Sequence, residues 1–379
     1  MKKKLISLMI GLALISMTAV SLAADNVSEV KTFSLEQAVN YALENSPLVG
    51  ISETGLQKAQ VKLKEAKSAY NKSNKSEDTA KAFSVSIETL DTAKLQKGYY
   101  KRLAEMGLIL AEKAKLQTIE SIKFSVESSY FNLLNAQEKL AIQNSILKVS
   151  KENLDNIKKK YALGMASQIE VLSFETAYSQ AELDKKSAER ALIYAKMSFN
   201  KTLGLPLDTK VQLTDKLQVQ VPPEVDIEKK VEEALENRME VISATEQYEV
   251  DKLNFEITAL WYPENTYKYQ EAKHIVESSA YSVINSQQTV ELSVRKAYMD
   301  MIDAYEAIEV LDKLIDQAEK TYETTKVRYD MGMATNNEVV EALNKLQEIK
   351  LQKAQALLGY NLAKKQFEAS YGIGLTLTP

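Results

Sequence analysis

Cysteine is absent from the 379-residue chain, and histidine and tryptophan occur once each. Without cysteine there is no disulfide framework, no thiolate chemistry and no lipid-acceptor residue behind a signal segment. The single histidine, His274, excludes histidine-dependent triads and Cys/His zinc sites. No glycine-rich phosphate loop occurs. Catalysis by carboxylates alone stays formally open, but no sequence pattern pairs two acids in a cleft. We therefore expect that the protein is not an enzyme and has no cofactor or metal site.

An excess of basic charge is also lacking. The 48 Lys and Arg residues are outnumbered by 52 Asp and Glu residues, which gives a formal net charge of −4. A net negative charge argues against a basic surface of the kind that nucleic-acid binding requires. We therefore expect proteins or solutes, and no nucleic acid, as partners.

Long apolar runs are missing except at the start of the chain. Residues 1–23 have the pattern of a secretory signal peptide, with lysines at 2–4, an apolar run over 5–20 and a small-residue cleavage site at Ala23. An uncleaved membrane anchor is the alternative, but the run is shorter than the roughly 20 apolar residues that a span needs. We predict export to the cell envelope, with a mature chain from Ala24.

The sequence contains an internal repeat, which is a strong constraint on architecture. Residues 33–45 match residues 225–237, and both end in Ala-Leu-Glu-Asn. Tyr161-Ala-Leu-Gly-Met-Ala166 likewise matches Tyr329-Asp-Met-Gly-Met-Ala334. The predicted domains are a signal peptide (1–23), a first helical-hairpin repeat (24–204), an extended connector (205–224) and a second helical-hairpin repeat (225–379).

Within each copy the residue pattern is helical. Ser34 followed by Gln37 predicts a capping box, and no proline interrupts the stretch from about Glu88 to Tyr161. Gly164 and Gly332 stand where the long helices must reverse, because glycine takes the positive φ that ends a helix. The apolar stripe of the first returning helix is Leu192, Ala195, Phe199 and Leu203. The predicted fold is mainly all-α, with tandem long antiparallel coiled-coil hairpins.

These motifs together resemble the TolC-type outer-membrane efflux family. The opening helix with Ala-Leu-Glu-Asn-Ser-Pro47, the tip Tyr161-Ala-Leu-Gly-Met-Ala166 and the end Leu203-Gly-Leu-Pro206 are similar to recurring segments of that family. The resemblance covers nearly all of residues 33–374. It implies a homotrimer whose hairpins close into an α-helical barrel. That barrel would be a passive conduit for drugs, metabolites or proteins, joined to a periplasmic adaptor and an inner-membrane pump.

The resemblance also implies two sets of site residues at the hairpin tips. The implied adaptor-docking residues are Gly164, Met165, Ala166, Gly332, Met333 and Ala334. The implied acids of the constricted entrance are Glu170, Glu338 and Glu341. Local structure is the competing interpretation, since glycine ends a helix, methionine fills gaps and glutamate is common on a solvated helix face.

The chain departs from the family between the second and third helices. Family members have two membrane strands per half there, whereas here only Phe83, Val85 and Ile87 alternate, and residues 261–269 are aromatic without forming a strand pair. We expect the β-barrel strands to be absent or vestigial. The additional residues of the first copy include polar residues 71–78, which predict a loop. An exported structural rod without channel activity is therefore the alternative function.

Overall fold

The computed structural model describes residues 30–83 and 89–375, with the side chains of residues 76–83 left out. The expected signal peptide and residues 84–88 of the alternating stretch lie outside these ranges. The elements in chain order are β1 (Lys31–Phe33), α1 (Leu35–Asn45), α2 (Pro47–Phe83), α3 (Leu90–Gln96), α4 (Tyr99–Ala162), α5 (Gln168–Thr202), β2 (Val211–Leu213), α6 (Ile227–Asn237), α7 (Met239–Trp261), α8 (Tyr267–Asp330) and α9 (Asn336–Ser370).

The two repeats have matching helices, which confirms the predicted mainly all-α fold of duplicated hairpins. Helices α4 and α8 have 64 residues each, and α5 and α9 have 35 each. At 1.5 Å per residue, each long helix extends about 96 Å. In the described parts of the chain, no helix is both long and apolar enough to cross a membrane.

Two predictions about the first repeat are wrong. Helix α2 continues to Phe83, so residues 71–78 are helical and do not form a loop. No Gly or Pro lies between Gly55 and Gly98, so nothing in this polar segment breaks the helix. The long helix starts at Tyr99 and not near Glu88, because Gly98 has a φ of 81° and separates α3 from α4.

Away from the tips, the long helices form a layer in the order α5, α4, α9, α8. Lys158 of α4 pairs with Glu175 of α5 at 2.9 Å. On the other side of α4, Gln347 of α9 donates to Gln143 at 3.1 Å. Helix α9 also pairs with α8 through Lys350 and Glu319, 2.7 Å apart. Helices α5 and α8 are therefore the edges of this part of the layer.

The buried core runs along the layer in separate clusters of apolar side chains. The stripe predicted on α5 is confirmed, since Phe199 and Leu203 are buried, with Leu192 and Ala195 packed against the same cluster. Tyr360 of α9 and Met301 of α8 are buried in the corresponding cluster of the second repeat. This packing supplies the stability that isolated amphipathic helices lack.

The chain between α5 and α6 returns to the N-terminal strand. β2 pairs in parallel with β1, in the register Lys31 to Val211. The Asp215 carboxylate accepts hydrogen bonds from the backbone N–H of Leu35 and from the hydroxyl of Tyr130, each at 2.8 Å. Burial and this carboxylate raise the pKa of Tyr130 to about 12. The connector is thereby fastened to α1 and α4.

Candidate functional site at the hairpin tips

The first tip is a tight reversal between α4 and α5. Gly164 has a φ of 72°, and the backbone N–H of Met165 donates to the carbonyl of Lys160 at 2.8 Å. This six-to-one bond is the Schellman arrangement that satisfies the last carbonyls of a helix. The next helix is capped by Ser167, whose hydroxyl accepts from the backbone N–H of Glu170. Sequence pattern and geometry agree on the role of Gly164.

The second tip repeats this geometry residue by residue. Gly332 has a φ of 75°, and the N–H of Met333 donates to the carbonyl of Arg328 at 2.8 Å. Thr335 caps α9 by accepting from the N–H of Glu338. The duplication predicted from sequence therefore extends to individual hydrogen bonds at the two ends.

Both tips expose apolar side chains to solvent. Met165 is 73% exposed and Met333 is 61% exposed, and Leu163 and Met331 are exposed beside them. Ala166 and Ala334 are half-buried behind the reversal. Flexible methionines on an exposed surface suit contact with a partner protein better than gap filling in a core.

The acids beside the tips take part in helix capping. The Oε2 atom of Glu170 accepts from the Ser167 N–H at 2.7 Å, and Oε2 of Glu338 accepts from the Thr335 N–H at 2.6 Å. The Ser167 amide and hydroxyl hold the pKa of Glu170 below its usual range. The amide and hydroxyl of Thr335 do the same to the pKa of Glu338. Both carboxylates thus stay ionised and point back to their own helix N-termini.

Glu341 differs from the other two acids. It lies on α9 one turn beyond Glu338, is exposed, and accepts no side-chain hydrogen bond within the part of the chain that the structure describes. Of the three predicted entrance acids, Glu341 is therefore the one whose carboxylate is not used locally. Among the described residues, no group of three or more acids or histidines is arranged to hold a metal ion.

Tyr329 joins the second hairpin to the first. Its hydroxyl donates to Oε1 of Glu170 at 3.5 Å, and its ring packs edge-on against Phe174 with centroids 6.1 Å apart. The Nζ atom of Lys160 lies 4.6 Å from the centre of the same ring. Burial, followed by the Glu170 charge, raises the pKa of Tyr329 to about 12. The tyrosine therefore stays protonated and remains a donor at neutral pH.

Two further contacts hold the hairpin ends level with one another. Lys160 of α4 pairs with Asp330 of α8 at 2.8 Å. Ser173 of α5 donates to the side-chain oxygen of Asn337 of α9 at 3.3 Å. The two tips consequently lie side by side at one end of the folded molecule.

Sequence reasoning missed this joint and the two tip capping boxes. Ser167-Gln-Ile-Glu170 and Thr335-Asn-Asn-Glu338 both match the capping-box pattern, so that signal was present. No sequence pattern links Tyr329 to Glu170, because the two residues are far apart in the chain.

A groove runs along the layer above the tips. It has a volume of about 1600 Å³ and is bordered by α4, α5 and α9. Its lining mixes small polar side chains with apolar ones. The polar ones include Ser125, Ser129, Asn132, Asn135, Ser187 and Gln352, and the apolar ones include Ile122, Phe124, Tyr194 and Leu351. Asn135 is only 5% exposed, and its side-chain oxygen has no hydrogen-bond partner among the described residues.

These features define a class, a duplicated helical-hairpin protein with two joined tips. Solved outer-membrane channels share its fold. The outer membrane protein VceC from Vibrio cholerae matches with a TM-score of 0.71 at 13% identity, over 90% of this chain and 97% of VceC. The CmeC outer membrane channel from Campylobacter jejuni matches at 0.68 and 13%, over 91% and 87%. The open state of the MtrE channel from Neisseria gonorrhoeae matches at 0.67 and 13%, over 91% of each chain.

The chain thus has the fold of TolC-like outer membrane channels. No family model matches the sequence, and no curated protein matches it. At 13% identity the likeness is one of fold. The structural neighbours are channel proteins and not enzymes, in keeping with the reading of the sequence.

Proposed function

We propose that this protein is an outer-membrane efflux protein of the TolC type, exported to the cell envelope. It forms a passive homotrimeric conduit for drugs, metabolites or proteins. The exposed tips dock to a periplasmic adaptor, which joins the conduit to an inner-membrane pump. The main support is the match to channel folds over nine-tenths of the chain. That likeness does not favour the alternative of a structural rod without channel activity.

The two edges of the helical layer support assembly with further copies. Helix α5 exposes Leu183, Ile193 and Met197 at one edge. Helix α8 exposes an equivalent set at the other edge, consisting of Leu292, Met299, Val310 and Leu314. These residues are 4, 7, 10 or 11 positions apart along their helices, which places each set on one helix face. Exposed apolar residues on one face are typical of coiled-coil seams that pack against another helix.

The two edges carry one pair of opposite charges and one pair of methionines at matching heights. Met299 of α8 and Met197 of α5 are the same number of residues away from the glycines of their tips, Gly332 and Gly164. Glu306 of α8 and Arg190 of α5 are also at equal separations from these two glycines. Glu306 and Arg190 are both exposed. Since the tips are level, an α8 edge packed on the α5 edge of the next copy brings each pair together. Head-to-tail contact of two different edges generates a ring when the rotation between successive copies closes.

The tips support docking to an adaptor. The exposed side chains of Leu163, Met165, Met331 and Met333 give the ends of the two hairpins an apolar surface. Gly164 and Gly332 shape this surface, and Ala166 and Ala334 back it. Glu341 is the best candidate of the three predicted entrance acids, because its carboxylate accepts no side-chain hydrogen bond within the described residues. Carboxylates gathered by threefold symmetry make a negative constriction that favours cations.

The mass and shape of the purified exported protein in mild detergent test the conduit. We expect light scattering to give a trimer and electron microscopy to show hollow tubes. Arg190→Glu and Glu306→Arg should each weaken the trimer, and the double exchange should restore it, because the edge pair is re-formed with reversed charges. A stably monomeric or dimeric wild-type protein seen as a solid rod would overturn the proposal.

A further inference from the structure

The part of α2 between residues 58 and 75 is strongly basic. It contains six lysines and a single acid, Glu65, in a chain whose net charge is −4. All six lysine side chains are exposed. We refer to this part of α2 as the basic segment, and its lysines are Lys58, Lys62, Lys64, Lys67, Lys72 and Lys75.

Most of this charge gathers on one side of the helix. Leu63 is buried, and Tyr70 lies against the start of α4, so this stripe of α2 packs on the layer. Lysines at positions 64, 67, 72 and 75 border a shallow surface concavity together with Ser68 and Asn71. The side of α2 that does not pack on α4 is therefore a row of ammonium groups separated by small polar residues.

The basic segment lies at the end of the molecule opposite the tips. Glu53 pairs with Lys115, and Lys101 of α4 lies over the ring of Tyr70, so α2 runs antiparallel to α4. Tyr70 is level with the first turn of α4, yet α2 continues to Phe83. This extension reaches about 20 Å past the start of α4, and α3 packs against α2 at this end. Lys72 and Lys75 belong to it.

Exposed aromatic and apolar side chains surround the same end. Arg102 in the first turn of α4 pairs with Glu246 of α7 at 2.7 Å, which places α7 alongside. Helix α7 ends in Leu260 and Trp261, and Leu260 is 73% exposed. Tyr267, the first residue of α8, is 95% exposed. Tyrosine and tryptophan beside lysines are the side chains that favour the boundary between lipid headgroups and water.

We propose that this end of the protein binds the surface of an anionic phospholipid membrane. The basic segment contacts the phosphate headgroups, and the α7–α8 corner enters the interfacial layer. Each lysine near such a surface strengthens binding by roughly fivefold. Lys72 and Lys75 lie past the start of α4. A flat membrane surface across this end of the molecule can reach them more readily than a second copy packed along its side can. The inference rests on the proposed envelope location and not on a conduit.

The test is binding of the exported full chain, with its N-terminus verified by mass spectrometry, to sedimented vesicles. One set contains phosphatidylcholine alone, and the other contains about one third phosphatidylglycerol. The test variant carries Lys64→Gln, Lys67→Gln, Lys72→Gln and Lys75→Gln. The matched control carries Lys148→Gln, Lys151→Gln, Lys216→Gln and Lys229→Gln, which remove the same charge from exposed lysines elsewhere. Light scattering of every sample reports assembly separately.

We expect the wild type and the control to bind anionic vesicles and not neutral ones, with the test variant weaker by about tenfold or more. Raising the ionic strength should release the wild type, because the Debye length falls below about 10 Å above ~0.1 M salt. Trp261 is the single tryptophan, so its emission should shift to shorter wavelength on binding. The salt and emission measurements use the wild type and remain decisive even if the test variant misfolds.

Four outcomes would overturn the inference. The first is no binding to either vesicle, and the second is equal binding of the wild type and a folded test variant. The third is tighter binding to soluble polyphosphate than to vesicles, which assigns the basic segment to an anionic polymer. The fourth is loss of assembly with unchanged vesicle binding in the test variant, which assigns the segment to a second copy. A monomeric wild type that still binds anionic vesicles would contradict the conduit and leave this inference standing.

Discussion

The hydroxyl of Tyr329 lies 3.5 Å from the Glu170 carboxylate and joins the end of α8 to the first turn of α5. Glu170 is at the same time the acidic member of the capping box of α5 and accepts from the backbone of the N-cap Ser167, so one carboxylate serves both its own helix and the other hairpin. The two tips are therefore mechanically connected within one chain. Any movement that separates them has to break this contact and the nearby Lys160–Asp330 pair.

Tyr329→Phe should loosen the two tips with little loss of overall stability. The hydrogen bond is long and partly exposed, so we expect a coupling energy with Glu170→Gln below ~1 kcal/mol in a double-mutant cycle. Spin labels at positions 165 and 333 should show a broader distance distribution in Tyr329→Phe. Tyr161→Phe is the matched control, since Tyr161 occupies the equivalent place in the first repeat and is exposed. An unchanged distribution in Tyr329→Phe would argue against a joint.

Gly164→Ala and Gly332→Ala should each destabilise the protein by about 1–2 kcal/mol, measured by chemical denaturation. Neither site is crowded, so the cost comes from the positive φ and not from a clash. Gly107→Ala is the control with the opposite sign. It lies inside α4 with open space around it and should stabilise by up to ~1 kcal/mol. Equal effects at all three glycines would refute the conformational explanation.

Thr335→Ala should cost about 1 kcal/mol, because it removes the acceptor for the N–H of Glu338 and the donor to its carboxylate. Thr335→Ser keeps the hydroxyl and should recover most of the loss. The measurement is the unfolding midpoint of the three proteins in urea. If Thr335→Ser were as unstable as Thr335→Ala, the hydroxyl would not be the cause.

The pH dependence of the second tip follows from the lowered pKa of Glu338. Its folded pKa lies below the usual value of 4.5, so its contribution to stability is present above that pH. The contribution is lost as the pH falls through the folded pKa. The difference in Tm between the wild type and Glu338→Gln should therefore be constant near neutrality and shrink below pH 4.5. A difference that grows on acidification would contradict the direction of the shift.

Tyr130→Phe should detach the connector from α4. The hydroxyl donates to Asp215, so its removal leaves that carboxylate short of a donor in a partly buried place. We expect a loss of about 1–2 kcal/mol in the free energy of unfolding. Tyr281→Phe is the control, because Tyr281 is exposed and makes no side-chain hydrogen bond within the described residues. A cost as large in the control would exclude a specific role for the Asp215 contact.

Much of the fold could be predicted because its signals are local or periodic. The Ser34 capping box and the reversals at Gly164 and Gly332 depend on a few neighbouring residues, and the structure confirms each of them. The duplicated hairpins follow from a repeated pattern. The domain boundaries, the trimer and the roles of the tip residues stay predictions.

The errors occurred where local signals were weak or mutually opposed. Residues 71–78 are polar enough for a loop, but they contain no helix breaker and continue α2 as an exposed helix. Gly98 immediately precedes α4, but a single glycine within a helix-favouring stretch is a weak signal for a helix boundary. Glu170 and Glu338 fit two interpretations from sequence, and only their contacts in the structure show that they take part in helix capping.

The sequence alone determined the helical class, the duplication and the place of each tip, since helix caps and apolar stripes act over three to seven residues. Only the tertiary structure decided that Tyr329 reaches Glu170 and that Asp215 fastens the connector to Tyr130. It also decided that α2 carries Lys72 and Lys75 past the start of α4. These contacts join residues far apart in the chain. Their geometry depends on how whole helices pack, which no short pattern encodes.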